Sequence, residues 1–349
     1  MEIRTVIRVF CAVATLIFLN TAANGQAQPT FVGVRTFLGA PYVTNLDELK
    51  ADFAVLGVPF DEGTWGQPGE RYGPRDLRES SQEYNHDLTE GFYYIDGDRT
   101  VLKGKRWADV GDVLLYPTVP AQTNDKITAA VKKIIEKKAF PIVLGGDHSI
   151  TFPVLRAVDG TLGKDVTLIH FDAHLDTWNG EPGNLDHASW VNRAAQLPHV
   201  KKIVQVGMRG LANDQEAIGN ARKIHTSIVT SEQIHAKGVE WALAQIPASE
   251  NIYISLDVDV MDPALAPGTG TLEPDGLNFR ELDELLKGVA TKGKLVGCDV
   301  VEVNPYRDPS GRTAQTAVRL MIDLLGAAFR QETPRNVRNS QSDYSLRSE

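Results

Sequence analysis

The sequence predicts an α/β fold built on a mainly parallel sheet that helices cover on both faces. Short, continuously apolar runs alternate with amphipathic stretches from about residue 53 to residue 330. Uninterrupted apolar runs are typical of strands buried on both faces, and helices between them indicate parallel connections. With 349 residues, 42% of them hydrophobic, the chain can bury a large core. No repeat or Pro/Gly linker divides this region, which predicts one domain.

Each element is predicted from its own pattern. The strands are the short apolar runs at residues 53–58, 141–144, 166–171, 203–206, 252–256 and 295–301. The helices are the amphipathic stretches at residues 125–138, 152–158, 231–245, 279–290 and 314–329. In the first helix Ile127, Val131 and Ile134 share one face with lysines opposite, which is the helical period. Cys298 lies in the last apolar run, and we interpret it as a small buried hydrophobe.

The two ends of the chain differ from the domain between them. Arg4 and Arg8 precede an apolar run from residue 9 to 19, followed by small and polar residues. This order predicts a signal peptide over residues 1–27 and export to a periplasm or beyond the cell. The alternative is an N-terminal anchor that stays in place. The domain would then span 28–331, and the polar segment 332–349 is expected to be a flexible tail.

Charge and composition limit the classes of partner. Charged residues make up 23% of the chain and the formal net charge is −9. No basic stripe is present, so we expect no nucleic-acid partner and no membrane partner after removal of the signal peptide.

Two acidic clusters point to the chemistry. Asp172-Ala173-His174-Leu175-Asp176 follows the apolar run at 166–171, and Asp257-Val258-Asp259 follows the run at 251–256. Residues two apart share one face of an extended chain, so each cluster can direct its ligand groups at one point. Buried carboxylates and imidazoles are costly unless positive charge neutralises them. A pair of divalent cations, a tool for hydrolysis, is the natural answer.

Three further segments end at the same predicted edge of the sheet. His148 follows a strand in Gly-Gly-Asp-His-Ser, and Glu302 follows the strand at 295–301. His187 lies in the loop from 177 to 190. Each signal alone is weak, because single histidines and acidic residues at strand ends are common caps. Together, at successive strand ends, they indicate a site.

These segments resemble the signatures of the ureohydrolases, the family of arginases, agmatinases and related amidinohydrolases. The resemblance covers about residues 35–330. It rests on Gly-Gly-Asp-His-Ser, Asp-Ala-His-X-Asp and Ser-X-Asp-X-Asp-X-X-Asp-Pro at residues 255–263. Residues 57–61 (Gly-Val-Pro-Phe-Asp) and 69–75 (Gly-Glu-Arg-Tyr-Gly-Pro-Arg) look more like the agmatinase branch. The resemblance implies an arginase-like three-layer α/β/α sandwich with a mainly parallel sheet.

The resemblance also implies a ligand set and roles. The implied cofactor is two Mn²⁺ per chain, with Ni²⁺ as an alternative for histidine and carboxylate ligands. The implied metal ligands are His148 and Asp176 at one ion, His174 and Asp259 at the other, and Asp172 and Asp257 between them. Glu302 would orient the substrate guanidinium and His187 would give a proton to the leaving amine. The cations would activate the water that attacks the guanidinium carbon.

The substrate is less determined than the reaction. His187 is followed by Ala188 and Ser189 where the family usually has glycine, and Leu272 and Asp275 replace the usual proline and glycine. Agmatine is the first expectation, hydrolysed to urea and an amine. The alternatives are guanidinobutyrate or another guanidino acid, arginine, a formimino compound, a single-zinc deacetylase and a non-catalytic metal-binding homologue. The resemblance further implies a homo-oligomer, a trimer or hexamer.

Two tryptophans flank the His187 loop. Trp178 and Trp190 are expected either to line the tail of the substrate or to pack at the surface.

Overall fold

The computed structural model describes residues 32–158, 165–181 and 184–330, and the fold below is that of the described residues from Arg35 onwards. The predicted signal peptide 1–27 and tail 332–349 lie outside the described residues. Ten strands are described: β1 Phe53–Gly57, β2 Phe92–Tyr94, β3 Arg99–Val101, β4 Trp107–Asp112, β5 Phe140–Leu144, β6 Val166–Phe171, β7 Val200–Met208, β8 Ser227–Thr230, β9 Asn251–Asp257 and β10 Lys294–Val301.

Nine α-helices are described between the strands. They are α1 Gly73–Ser80, α2 Pro120–Glu136, α3 Thr151–Val158, α4 Trp190–Ala194, α5 Gln215–Lys223, α6 Ser231–Lys237, α7 Val239–Gln245, α8 Phe279–Val289 and α9 Arg312–Ala328. None of the described helices is both long and apolar enough to cross a membrane.

Eight strands form one sheet in the order β4-β1-β5-β10-β9-β6-β7-β8, and every pairing in it is parallel. β2 and β3 form a separate antiparallel pair. Alternate residues of one strand enter opposite cores: Val55 belongs to the core that includes residues of α8 and α9, whereas Ala54 and Leu56 belong to the core that includes residues of α2 and α3. Helices therefore cover both faces, and the three-layer α/β/α prediction is confirmed.

The sequence pattern missed or misplaced several elements. The edge strands β4 and β8 were not predicted, because β4 is interrupted by Asp109 and Gly111 and only Val229 is buried in β8. The helix predicted over 231–245 is wrong as one element. It ends at Lys237 and a second helix starts at Val239, because Gly238 lies between them at φ 87°. That left-handed conformation is one that glycine adopts without strain.

Candidate metal centre

The predicted site residues meet at the carboxyl edge of the four central strands β5, β10, β9 and β6. His148 comes four residues after β5, Asp172 directly follows β6, Asp257 ends β9 and Glu302 directly follows β10. All four are at least 97% buried. The strand-end edge predicted from the spacing is thus the edge at which these side chains lie.

A glycine pair delivers His148 to this edge. A Cβ on Gly146 would lie 1.7 Å from the carbonyl oxygen of Phe60, and one on Gly145 would lie 2.5 Å from Cγ1 of Val301. Only glycine lets the backbone turn this tightly against two neighbouring segments. The turn places the His148 amide where it donates to Oε1 of Glu302 at 2.7 Å.

One ring nitrogen of His148 faces three carboxylates. Its Nδ1 lies 3.0 Å from Oδ2 of Asp172, 3.3 Å from Oδ2 of Asp176 and 3.1 Å from Oδ2 of Asp257. A single nitrogen carries at most one proton, so it cannot satisfy three acceptors by hydrogen bonding. Three carboxylate oxygens and an imidazole nitrogen around one point are the donors a divalent cation takes.

The other nitrogen of His148 ends a buried hydrogen-bond chain. Nε2 lies 2.8 Å from Oγ of Ser255, and that hydroxyl donates to Oδ1 of Asp299 at 2.6 Å. Tyr253 donates to Oδ2 of the same carboxylate at 2.7 Å. Because the proton of Ser255 is used on Asp299, Ser255 accepts from Nε2–H of His148. In the neutral imidazole the chain therefore leaves the lone pair on Nδ1, towards the carboxylates, as a metal ligand requires.

A second cluster lies beside the first. Nδ1 of His174 is 2.9 Å from Oδ2 of Asp259 and 3.4 Å from Oδ1 of Asp172. Asp172 thus turns one oxygen to each histidine, as a carboxylate shared by two cations does. Asp257 turns Oδ2 to His148, while its Oδ1 accepts from the Asp259 amide at 2.8 Å.

Sequence reasoning missed His170 and misjudged Trp190. His170 is fully buried, and its Nε2 lies 2.7 Å from Oδ2 of Asp172. Gln205 approaches the other nitrogen of His170 at 3.1 Å, which makes Nε2–H the donor to Asp172. Trp190 is also fully buried and donates to Oδ2 of Asp176 at 2.7 Å, so it neither packs at the surface nor lines a tail site.

Two site residues hold left-handed backbone conformations. Asp176 has φ 51° and Glu302 has φ 64°. For residues with a Cβ this conformation costs of order 1 kcal/mol or more, and it is often retained where a functional side chain must be aimed.

His170, two residues before Asp172, could have been found from the same period-2 spacing that identified the cluster.

His187 and Glu302 form a pair next to the clusters. Nδ1 of His187 lies 3.1 Å from Oε1 of Glu302, and its Nε2 accepts from the Trp65 amide at 3.0 Å. Burial alone would lower the pKa of His187, but the charge and hydrogen bond of Glu302 outweigh it and raise that pKa to about 9. Because Nε2 accepts from the Trp65 amide, the ring proton lies on Nδ1, which faces Glu302, and that is the proton the imidazole could give up. Oε2 of Glu302 is buried and has no hydrogen-bond partner in the described part of the chain.

The charges of the site test whether cations fit. Burial raises the pKa of Asp176 and Asp257 well above the usual range, and the neighbouring carboxylate charges raise it further. Burial, followed by the charge of Asp172, also raises the pKa of Asp259. Burial alone would lower the pKa of His148 and His174, but the hydrogen bonds and charges of the neighbouring aspartates raise it well above the usual value, so without a cation the two imidazoles hold protons that partly balance the carboxylates. Two divalent cations would supply the missing positive charge, so the residues present fit a binuclear centre.

Three comparisons place this arrangement among known proteins. A model described as the arginase family matches residues 51–326. The chain is 33% identical to a guanidinobutyrase of Pseudomonas aeruginosa over 88% of this chain and 96% of that protein. It is 34% identical to a mitochondrial agmatinase of Gallus gallus over 90% and 91%. A solved structure of a hypothetical agmatinase from Burkholderia thailandensis aligns with TM-score 0.75 and 32% identity over 86% of this chain and 91% of that one.

Proposed function

This chain belongs to the arginase family and is a hydrolase that acts on the amidino C–N bond of a guanidino compound, and we propose that its substrate is agmatine. The relatives include both an agmatinase and a guanidinobutyrase at nearly equal identity. Sequence identity therefore does not decide between a substrate with a cationic tail and one with an anionic tail. The lining of the cleft beside His187 favours the cationic one.

The acidic lining of this cleft is the observation that carries the proposal. The cleft, of about 800 Å³, includes Gly63 and Trp65, which contact His187, and Asp186, which precedes it. Its acidic lining residues are Glu62, Asp125, Glu181, Asp186 and Glu216. Its one cationic residue, Arg156, already pairs with Asp125 at 2.9 Å. Agmatine carries an ammonium opposite its guanidinium, which this lining attracts, whereas a guanidino acid would bring a carboxylate into it.

We assign the ligand roles from the same geometry. His148 and Asp176 would hold one cation, and His174 and Asp259 the other, with Asp172 and Asp257 between them. The distances around His148 Nδ1 and His174 Nδ1 support this division. Histidine and carboxylate donors suit Mn²⁺, our first choice, and also Ni²⁺. When bound, a cation pair lowers the pKa of a water molecule and supplies the nucleophile for hydrolysis.

The side chains beyond the ligands perform the rest of the reaction. The unpartnered Oε2 of Glu302 would accept an N–H of the guanidinium and so orient its carbon. As the C–N bond breaks, His187 would transfer its proton to the departing nitrogen, leaving urea and a free amine. The contact between His187 and Glu302 would keep the proton donor beside the guanidinium that Glu302 binds.

The test is urea release by the purified protein loaded separately with Mn²⁺ and Ni²⁺. The panel holds agmatine, guanidinobutyrate, guanidinopropionate, arginine and a formimino compound. Agmatine should give the highest kcat/KM; a guanidino acid as the best substrate would contradict the proposal. Glu181→Lys should raise KM for agmatine and lower it for guanidinobutyrate. Glu136→Lys, an exposed change on α2 away from the cleft, is the matched control.

Export and assembly remain proposals. The order of residues in 1–27 supports a signal peptide, and export would expose the enzyme to external guanidino compounds. N-terminal sequencing of protein recovered outside the cytoplasm tests this; an intact N-terminus in the cytoplasm would contradict it. For the proposed trimer or hexamer the measurement is light scattering during gel filtration, and a monomer would contradict it.

A further inference from the structure

A second carboxylate lies buried beside the substrate end of the site. Glu70 precedes α1 and is 0% exposed. Its Oε1 accepts from Nδ2 of Asn304 at 3.0 Å, and its Oε2 lies 3.5 Å from Oγ1 of Thr64. Both partners are neutral, and no described lysine or arginine forms an ion pair with Glu70. A carboxylate buried in this way is unfavourable unless a cation joins it.

The cationic side chains near Glu70 are already engaged. Arg71 donates to Oδ1 of Asp61 at 2.5 Å, and Arg307 donates to Oε1 of Gln67. His187 pairs with Glu302. Burial, followed by the charge of Glu302, raises the pKa of Glu70 to about 7. The fold therefore places Glu70 near Glu302, and His187 forms an ion pair with Glu302 only.

Gly270 marks the point at which the two carboxylates converge. A Cβ on this residue would lie 2.8 Å from Oε1 of Glu70 and 3.8 Å from Oε2 of Glu302. The two oxygens are thus no further apart than the sum of these distances. Oε2 of Glu302 is the atom without a partner. A planar guanidinium directs N–H groups outwards from different nitrogens, so it can donate to two carboxylate oxygens that converge on one point.

We propose that Glu70 is a second guanidinium-binding carboxylate, so that Glu70 and Glu302 together bind the cationic head of the substrate. This inference rests on the proposed function and deepens it. Glu302 and Glu70 accept N–H donors from different nitrogens of the guanidinium, which fixes its plane as well as its position. The pair also distinguishes a cationic guanidinium from a neutral urea of the same shape, because only the cation relieves the repulsion between the two carboxylates.

The test compares a cation with its neutral isostere. Methylguanidinium and methylurea are titrated by calorimetry into the metal-loaded full chain and into Glu70→Gln, which keeps an acceptor for Asn304 but loses the charge. We expect methylguanidinium to bind about ten- to a hundredfold more weakly to the variant, the effect of losing a charge-assisted hydrogen bond. Methylurea affinity and metal content should not change. Asp76→Asn, a carboxylate on α1 whose pKa burial also raises, is the matched control and should leave both ligands unaffected.

Unchanged methylguanidinium affinity would overturn the inference, and so would an equal loss for both ligands, which would mean that Glu70 only supports the loop. If Glu70→Gln does not fold, Gly270→Ala replaces it: its methyl group fills the space between the carboxylates and should weaken methylguanidinium binding. Normal binding in that variant would also overturn the inference. These titrations need no turnover, so charge-dependent binding without urea release from agmatine would refute the proposed substrate and leave the role of Glu70 intact.

Discussion

Replacing Ser255 by alanine should weaken one metal position more than the other. In the native chain Ser255 accepts from Nε2–H of His148 at 2.8 Å and donates to Asp299 at 2.6 Å. All three residues are buried. The alanine variant leaves a buried N–H without an acceptor. That costs about 1–3 kcal/mol unless the proton moves to Nδ1.

Moving the proton relieves one penalty and creates another. On Nδ1 the proton can be donated to the surrounding aspartates, but it then occupies the lone pair that a cation needs. A bound cation would have to restore the unfavourable tautomer. Loss of such an outer hydrogen bond typically weakens metal affinity about 10- to 100-fold. The effect should fall on the position beside His148 and Asp176, because the histidine that hydrogen-bonds to Ser255 is His148.

The assay is stepwise Mn²⁺ titration of the metal-free protein in competition with a chelator. One of the two binding steps should weaken in Ser255→Ala while the other stays within about threefold, the ordinary scatter for a single contact. Thr167→Val is the matched control, because it removes a buried hydroxyl at the amino end of β6 that hydrogen-bonds to Ser249. Two unchanged steps, or the same loss in the control, would refute the tautomer argument.

Three further predictions concern the site itself. Asp172→Ala or Asp257→Ala should abolish metal binding at one or both positions, which elemental analysis of the purified variant measures. A normal metal content would exclude the role of that aspartate as a ligand shared by both cations. His187→Ala should keep its metal yet lose about 10²–10⁴ in kcat, as expected for a lost proton donor, and unaltered turnover would exclude that role. Glu302→Gln removes the charge that raises the pKa of His187 to about 9, so the pKa measured by NMR should fall. As the pH is raised, the variant should therefore lose the His187 proton, and any activity that depends on it, at a lower pH than the native protein does. An unchanged titration would contradict this.

The local sequence pattern identified the part of the site that lies at strand ends. Asp172, His174 and Asp176 follow one buried strand at period-2 spacing, and Asp257 and Asp259 follow another. Parallel strands present their carboxyl ends at one edge, so convergence follows from the fold class. The helices and central strands were predictable for the same reason, since their periodicity is local.

The outer contacts of the site could not be read from spacing. His148 and Glu302 are 154 positions apart in the chain, and Glu70 and Asn304 are 234 apart. Trp190 looked like a loop residue and is a buried donor to Asp176. Edge strand β8, with one fully buried residue, has too little apolar pattern to be recognised without its neighbour β7.

The sequence by itself determined the fold class and the residue types of the candidate metal ligands, because both depend on hydrophobic periodicity and on groups set by neighbouring residues in the chain. The tertiary structure alone decided which nitrogen of His148 is free, which carboxylates surround it and why Glu70 lies beside Glu302. Those features depend on atoms that the fold brings together from distant positions in the chain. The protonation state and hydrogen bonds of a buried charged group are set by the groups that surround it.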